Sequence, residues 1–384
     1  MQPGGAFLLN RRILLFLRLF EALVRESVML MPKKFVAAGD VFIGFSGDQC
    51  IVGLGGRQTV FPTLKDCEPI LQAISFWKKP QHIAAVLQHL AQQGHSESSA
   101  LKAINFLVEK HHVVYYDDAE SASLERYNRH LLYYGGWSYD PADVQQNLAQ
   151  SHVVILGCGG IGNHLAVNLA TAGIGHLTLV DDDVIELSNL TRQHMFCESD
   201  LGEPKVDVLA RELEKRNSEV SVDRIALAIS GTESLELLPR ADVIALSADT
   251  PESIAIWVND YAIRGKFPYL VIGYVGDIAV FGPFYIPNRT GCYCCNANLT
   301  QDLSLTDTLS KAYCGSINQN SKPPSFVAVN AIAAAMATND ILRYLGGYAE
   351  PLSANKRIGI HTRSLQIEVQ DCNKSGSCQA CAQT

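Results

Sequence analysis

The stretch that most constrains this chain runs from His152 to Arg192, HVVILGCGGIGNHLAVNLATAGIGHLTLVDDDVIELSNLTR. A short β-branched apolar run leads into Gly157-Cys158-Gly159-Gly160-Ile161-Gly162. The apolar spacing then lengthens to the helical period through Leu165, Leu169 and Ala172. A second apolar run, Leu177 to Val180, ends in Asp181-Asp182-Asp183. This is the pattern of a strand, a glycine turn, a helix and a strand, the unit that lays a phosphate chain over a helix N-terminus. The acidic residues closing the second strand stand where a ribose hydroxyl would be held.

Backbone N–H groups and a helix dipole attract any phosphate, so the turn alone leaves NAD, FAD and ATP open, as well as a turn without a ligand. The residues downstream narrow the choice. Asn189-Leu190-Thr191-Arg192-Gln193 follows the acidic triplet, and Lys205 follows in Gly202-Glu203-Pro204-Lys205. A glycine turn by itself satisfies a dinucleotide's bridged pyrophosphate, whereas an arginine and a lysine sent to the same turn argue for a triphosphate. Asp249 directly follows a strand expected from Asp242 to Ala248, and the carboxyl ends of parallel strands line the ligand crevice. A carboxylate among phosphates is useful there through a Mg²⁺ ion. The other job open to Asp249 is capping a helix that starts at Pro251-Glu252.

Eleven cysteines in 384 residues raise the question of disulfides, and their clustering points elsewhere. Cys292-x-x-Cys295 and Cys378-x-x-Cys381 each offer a pair of thiolates, and together they suit a structural Zn²⁺ that pins the C-terminal tail to the middle of its domain. Cys294 is a rival ligand within the first pair, and two disulfides are the competing arrangement. A formal charge of -8 argues against a broad nucleic-acid or anionic-membrane surface. Hydrophobic residues at 47% and charged residues at 18% describe an ordinary soluble globular protein. Its length suits roughly two or three domains.

Residues 1–32 read as an N-terminal extension. Arg11-Arg12 followed by ILLFLRLFEALV has the look of a signal peptide, but Arg18 and Glu21 break the apolar run. An amphipathic helix, or sequence ahead of a start at Met29 or Met31, fits better. No run approaches the roughly 18 apolar residues of a membrane span. The expected compartment is the reducing cytoplasm.

From residue 33 to 118, short glycine-broken strands precede helical stretches at Leu64 to Trp77, His82 to Gln93 and Ser98 to Lys110, with a closing run His112 to Tyr116. That order predicts a small winged-helix-like module. Few basic residues share a helix face, so DNA is a poor partner. Peptide capture by strand addition and a scaffolding cap remain. Residues 119–384 alternate strands and helices as a mostly parallel α/β sheet requires, with antiparallel strands expected from Tyr269 to Ile286 and a long helix from Phe326 to Leu345.

GCGGIG, the acidic triplet, SNLTRQ, the Lys205 segment, SADTP and the paired cysteine knuckles, preceded by RYNRH, together resemble the E1-like adenylating family that includes ThiF, MoeB and the ubiquitin-activating enzymes. The resemblance runs from about Glu125 to the C-terminus. HVVILGCGGIGNH, KRNSEVSV, GDIAVFGPFYIP, GCYCC and EPLSANKRIGI look closest to its branch that modifies ribosomal precursor peptides, the MccB and PaaA branch of microcin C and pantocin biosynthesis.

The resemblance implies a Rossmann-like adenylation domain that activates a peptide carboxylate with ATP and Mg²⁺ for cyclisation, works as a homodimer and carries structural zinc. An alternative within the family is activation of the C-terminal glycine of a sulfur-carrier protein. Gly157, Gly159, Gly160 and Gly162 would form the nucleotide turn, and Asp181 would hold the ribose with Asp183 beside it. Asn189, Arg192 and Lys205 would contact phosphates, and Asp249 would ligate Mg²⁺. Arg129, in RYNRH, would reach into the partner subunit's site. Residues 296–324 would be a crossover loop over the substrate, and the N-terminal module would be a precursor-peptide clamp. Cys314 is the one loop cysteine placed for a thioester, but nothing around it lowers its pKa, so no thioester role is expected.

Overall fold

The N-terminal unit is built from β1 (Lys34–Ala37), β2 (Ile43–Ser46), β3 (Gln49–Val52), β4 (Thr59–Phe61), α1 (Leu64–Phe76), α2 (Ile83–Gln92), α3 (Glu97–Glu109), β5 (Val113–Tyr116) and α4 (Asn128–Tyr134). The structure, a computed structural model, describes residues 34–116, 125–296 and 324–381. The N-terminal extension, Cys314 and nearly all of the expected crossover loop lie outside the described residues. Strands β2, β3 and β4 form an antiparallel sheet, and β1 pairs with β5.

Helix α1 starts on a reciprocal cap. Thr63 Oγ1 accepts the Asp66 N–H at 3.3 Å while Asp66 Oδ2 accepts the Thr63 N–H at 3.1 Å, which satisfies donors that a helix start leaves open. Trp77, Leu90, Ile104 and Leu107 bury themselves with Cys50 and Val52 of β3. The segment around α4 packs on this module: Leu132 fills the space beside Gly39, and His111 stacks on Tyr139 at 4.5 Å. One unit ends at Asp143 and the second begins at Val144.

That division falls within α5 (Pro141–Ala149), after which the second unit continues through β6 (His152–Leu156), α6 (Gly160–Ala172), β7 (His176–Val180), α7 (Lys205–Arg216), β8 (Ser221–Ile225), α8 (Thr232–Leu235), β9 (Val243–Leu246) and α9 (Ile254–Gly265). It ends with β10 (Tyr269–Val275), β11 (Ile278–Tyr285), α10 (Val327–Leu345), β12 (Lys356–His361) and β13 (Ile367–Asp371). The strand order is β13-β12-β11-β10-β9-β6-β7-β8. Neighbours from β8 to β10 are parallel, and β11, β12 and β13 extend the sheet antiparallel. Parallel strands are covered on both faces, so β9 and, after His152, β6 are buried apolar runs where a half-exposed strand would alternate.

The chain leaves β6 towards β7 and β8, then returns to the opposite side of β6 as β9. A crevice at the carboxyl ends of β6 and β9 follows from that reversal. Within α10, buried Asp340 accepts the N–H groups of Leu352 at 2.7 Å and Ser353 at 2.8 Å, fastening the helix to the approach to β12. Among the described residues no helix is long and apolar enough to cross a membrane.

Candidate active site

At the end of β6, Gly157 takes φ +94°, and a Cβ there would come within 2.7 Å of the Ala248 backbone nitrogen. Only glycine lets the ends of β6 and β9 approach this closely. Gly162 serves the same turn from behind, since its Cβ would meet the Gly157 carbonyl oxygen at 1.8 Å. Gly159 caps α6 without a side-chain hydrogen bond, so the first N–H groups of that helix remain open to an anion. A cleft of about 580 Å³ forms here, lined by Gly157, Gly159, Gly160, Asp181, Asp183, Asn189, Arg192, Lys205 and Asp249. Of the glycines expected at the nucleotide, Gly162 alone supports the turn without lining the cleft.

The two outer aspartates of the triplet have different surroundings. Asp181 Oδ2 accepts the Cys158 N–H at 2.6 Å and its Oδ1 accepts the Asp183 N–H at 2.9 Å, so this carboxylate braces the glycine turn. Burial pushes its pKa up, and Lys205 and the two N–H bonds pull it back. Asp183 is largely exposed and pairs with Lys205, Nζ to Oδ2 at 2.5 Å. Lys205 opens α7 and is itself buried.

Arg192 is half-buried, with Nη1 donating to the Ser188 carbonyl at 2.8 Å. Asn189 is pinned in the preceding turn, its Oδ1 accepting the Glu186 N–H at 3.2 Å. Asp249 is exposed and accepts only the Thr250 hydroxyl at 3.3 Å among the contacts described. Helix α9 begins at Ile254 after Ser253, so Asp249 is not the cap of a helix starting at Pro251. Its free carboxylate at the mouth of the cleft has the hard oxygen donors that suit Mg²⁺. Arg129 is exposed on α4, in the N-terminal unit.

The four knuckle cysteines meet. The Sγ atoms of Cys292, Cys295, Cys378 and Cys381 lie within 4.8 Å of one another, and no disulfide joins them. Cys292 to Cys378 is 3.7 Å and Cys295 to Cys381 is 3.3 Å, a donor set fit for tetrahedral zinc. Cys294 stands outside the quartet and accepts an N–H from Asn259 at 3.4 Å. A second hollow, about 860 Å³, opens at the other end of the sheet around His152, Arg240, Lys266 and Tyr344, away from the glycine turn. Sequence reasoning did not single out Gln193, Ser325 and Asn330, which also line the nucleotide cleft.

The ThiF family profile matches residues 127–381. The chain belongs to the ThiF family. As a ThiF-family member with the E1-like adenylation fold, it is an ATP-dependent adenylating enzyme. The crystal structure of E. coli MccB with ATP matches it at TM-score 0.82 and 39% identity, covering 91% of this chain and 99% of MccB. The PaaA structure matches at TM-score 0.64 and 22% identity over 88% of this chain and 99% of PaaA, a likeness of fold. Molybdopterin-synthase adenylyltransferase of Escherichia coli K12 is 27% identical over 263 residues, which are 67% of this chain and 96% of that protein. In the first curated relatives it matches, the aligned stretch spans 35% and 61% of their own length.

Proposed function

We propose that this ThiF-family enzyme uses ATP and Mg²⁺ to adenylate a carboxylate of a ribosomally made precursor peptide, readying it for attack by a nitrogen of the same peptide in the making of a microcin C-like or pantocin-like antibiotic. Coverage supports this reading. The likeness to MccB, a protein solved with ATP and with MccA, extends over 91% of this chain and so takes in most of the N-terminal unit. Molybdopterin-synthase adenylyltransferase, matched over 96% of its own length, reaches 67% of this chain. The winged-helix-like module is the part left over, and a peptide clamp is the use we assign to it.

In this mechanism the substrate carboxylate oxygen attacks the α-phosphorus of ATP, the bond to the bridging oxygen breaks, and pyrophosphate leaves with the electron pair. The product is a mixed anhydride of the acid and AMP, whose phosphate is a far better leaving group than oxide. No strong general base is required, because the nucleophile is already ionised. Arg192 and Lys205 spread the charge that develops on the phosphoryl oxygens, and in a homodimer the partner subunit's Arg129 adds to them. Asp249 would hold Mg²⁺, which neutralises phosphate charge when bound. Asp181 takes the ribose hydroxyls together with Asp183, whose largely exposed carboxylate pairs with Lys205 through Oδ2. Zinc on Cys292, Cys295, Cys378 and Cys381 is structural.

Exchange of labelled pyrophosphate into ATP tests the reading. The full-length enzyme is incubated with ATP, Mg²⁺ and either a short peptide encoded beside its gene or a sulfur-carrier protein ending in Gly-Gly. Label in ATP with the peptide supports the proposal. Label only with the carrier replaces it by sulfur-carrier activation, and no exchange with either overturns it.

A further inference from the structure

Helix α10, 19 residues long, starts at the nucleotide cleft with Phe326 in the cap position, no side-chain cap and no acidic residue in its first turn. Its opening N–H groups therefore lack intrahelical partners, and the helix dipole makes this end positive. Ser325 and Asn330, just before the helix and in its first turn, both line the cleft. Asn330 is 1% exposed. Its Nδ2 donates to Ser325 Oγ at 3.1 Å, and its Oδ1 is buried without a partner among the described residues. The side chain is pressed against the glycine turn: a Cβ on Gly160 would lie 2.2 Å from Asn330 Nδ2 and 3.4 Å from Arg192 Cδ. The N-termini of α6 and α10, the Arg192 side chain and one unmet buried amide atom thus converge on a single point.

A half-turn of the Asn330 amide keeps the contact with Ser325, the hydroxyl now donating to Oδ1, and puts N–H₂ in the unmet position. The site then offers a carboxamide donor beside a positive helix end, which suits an anionic oxygen. On the adenylation reading proposed above, the phosphates occupy the turn over Gly159 and Gly160. The group that must arrive next to them is the reacting carboxyl.

We propose that Asn330 and the N-terminus of α10 hold the oxygen that stays on the acyl carbon. In the first step it is the second oxygen of the substrate carboxylate. In the second, a nitrogen attacks that carbon, a C–N bond forms and the carbonyl electrons move onto this oxygen. Its negative charge is met by Asn330 N–H₂ and the opening N–H groups of α10. When the carbonyl reforms, the C–O bond to phosphate breaks, AMP leaves with the electron pair, and the proton from nitrogen passes to water.

Binding of two probes to the full-length enzyme tests this without turnover. One is AMP. The other is N-acetylglycyl-sulfamoyl adenosine, which adds an acyl carbonyl to a phosphate mimic. Wild type is expected to bind the acyl probe more tightly than AMP. Asn330→Leu, which removes the donor without adding a charge beside the phosphate, should weaken the acyl probe by about 10-fold or more and AMP by less than about 3-fold. Ser325→Ala, at a half-buried position, should weaken the acyl probe alone by about 5-fold and covers the case in which the leucine variant does not fold. Equal losses for both probes, or none, make Asn330 a packing residue and overturn the proposal. Failure of wild type to bind either probe would instead remove the nucleotide reading of the cleft, and this inference with it.

Discussion

Lys205 and Asp183 are joined at the cleft, Nζ to Oδ2 at 2.5 Å, with the lysine side chain 7% exposed and the aspartate 66%. The two ends of the pair are not equivalent. Removing Asp183 strands a buried ammonium, while removing Lys205 releases a carboxylate into water. Asp183→Ala is therefore expected to lower the unfolding free energy by about 1–3 kcal/mol, and Lys205→Met by less than about 1 kcal/mol, measured by urea denaturation. Both should suppress pyrophosphate exchange. The opposite stability ranking would show that the lysine is not held by this partner.

Asp249 separates chemistry from stability in the other direction. It is exposed and caps no helix, so Asp249→Ala should change the unfolding free energy by less than about 0.5 kcal/mol. Exchange should fall by at least about 100-fold, since the carboxylate is the proposed Mg²⁺ ligand. Retained exchange with an unchanged Mg²⁺ requirement would move the metal elsewhere, the acidic triplet being the next place to look.

The cysteine quartet lies in a buried cluster with Leu246, Val258 and Tyr269, so loss of a metal there disturbs more than the tail. Elemental analysis of the purified enzyme is expected to find zinc at about one ion per chain. A strong chelator, or Cys381→Ser, should lower the melting temperature by more than about 5 °C. Cys294→Ser should leave zinc content unchanged, because Cys294 stands outside the quartet.

The N-terminal unit carries an acid sensitivity of its own. His112 is 1% exposed with neither ring nitrogen partnered among the described residues, and burial followed by the nearby Arg57 charge pushes its pKa from 6.5 down to about 4. His111 is shifted down to about 4 by the same two causes. In the unfolded chain both take up protons near 6.5, so between 6.5 and about 4 the unfolded state binds more protons than the folded one. Stability is therefore intact above that window and falls as the pH drops through it, by up to roughly 1.4 kcal/mol per pH unit for each histidine. His112→Asn should flatten the slope of melting temperature against pH below 6.5; an unaltered slope would assign the loss to other groups.

The strand, turn, helix and strand from β6 to β7 were legible because each of their signals is local: β-branched runs, glycines where backbones meet, and apolar residues at helical spacing. The cysteine pairs and the cations after the acidic triplet were legible for the same reason, as residue types that ordinary packing seldom demands at such spacing. Other features depend on which way a side chain faces once the chain is folded. Asp181 and Asp183 are two positions apart, yet one is half-buried and held by backbone N–H groups and the other is exposed and paired with Lys205. Asp249 reads first as a metal ligand, with a helix cap as the rival, until α9 is seen to begin beyond it.

By itself, then, the sequence determined the strand, glycine turn, helix and strand of the cleft and the thiolate quartet, because short-range periodicity and chemistry specify them. Only the tertiary structure decided that β9 returns beside β6 and that Asn330 comes to rest on Gly160, many residues away along the chain. Such meetings are set by the burial of whole sheets and helices against one another, and no local pattern in the chain records them.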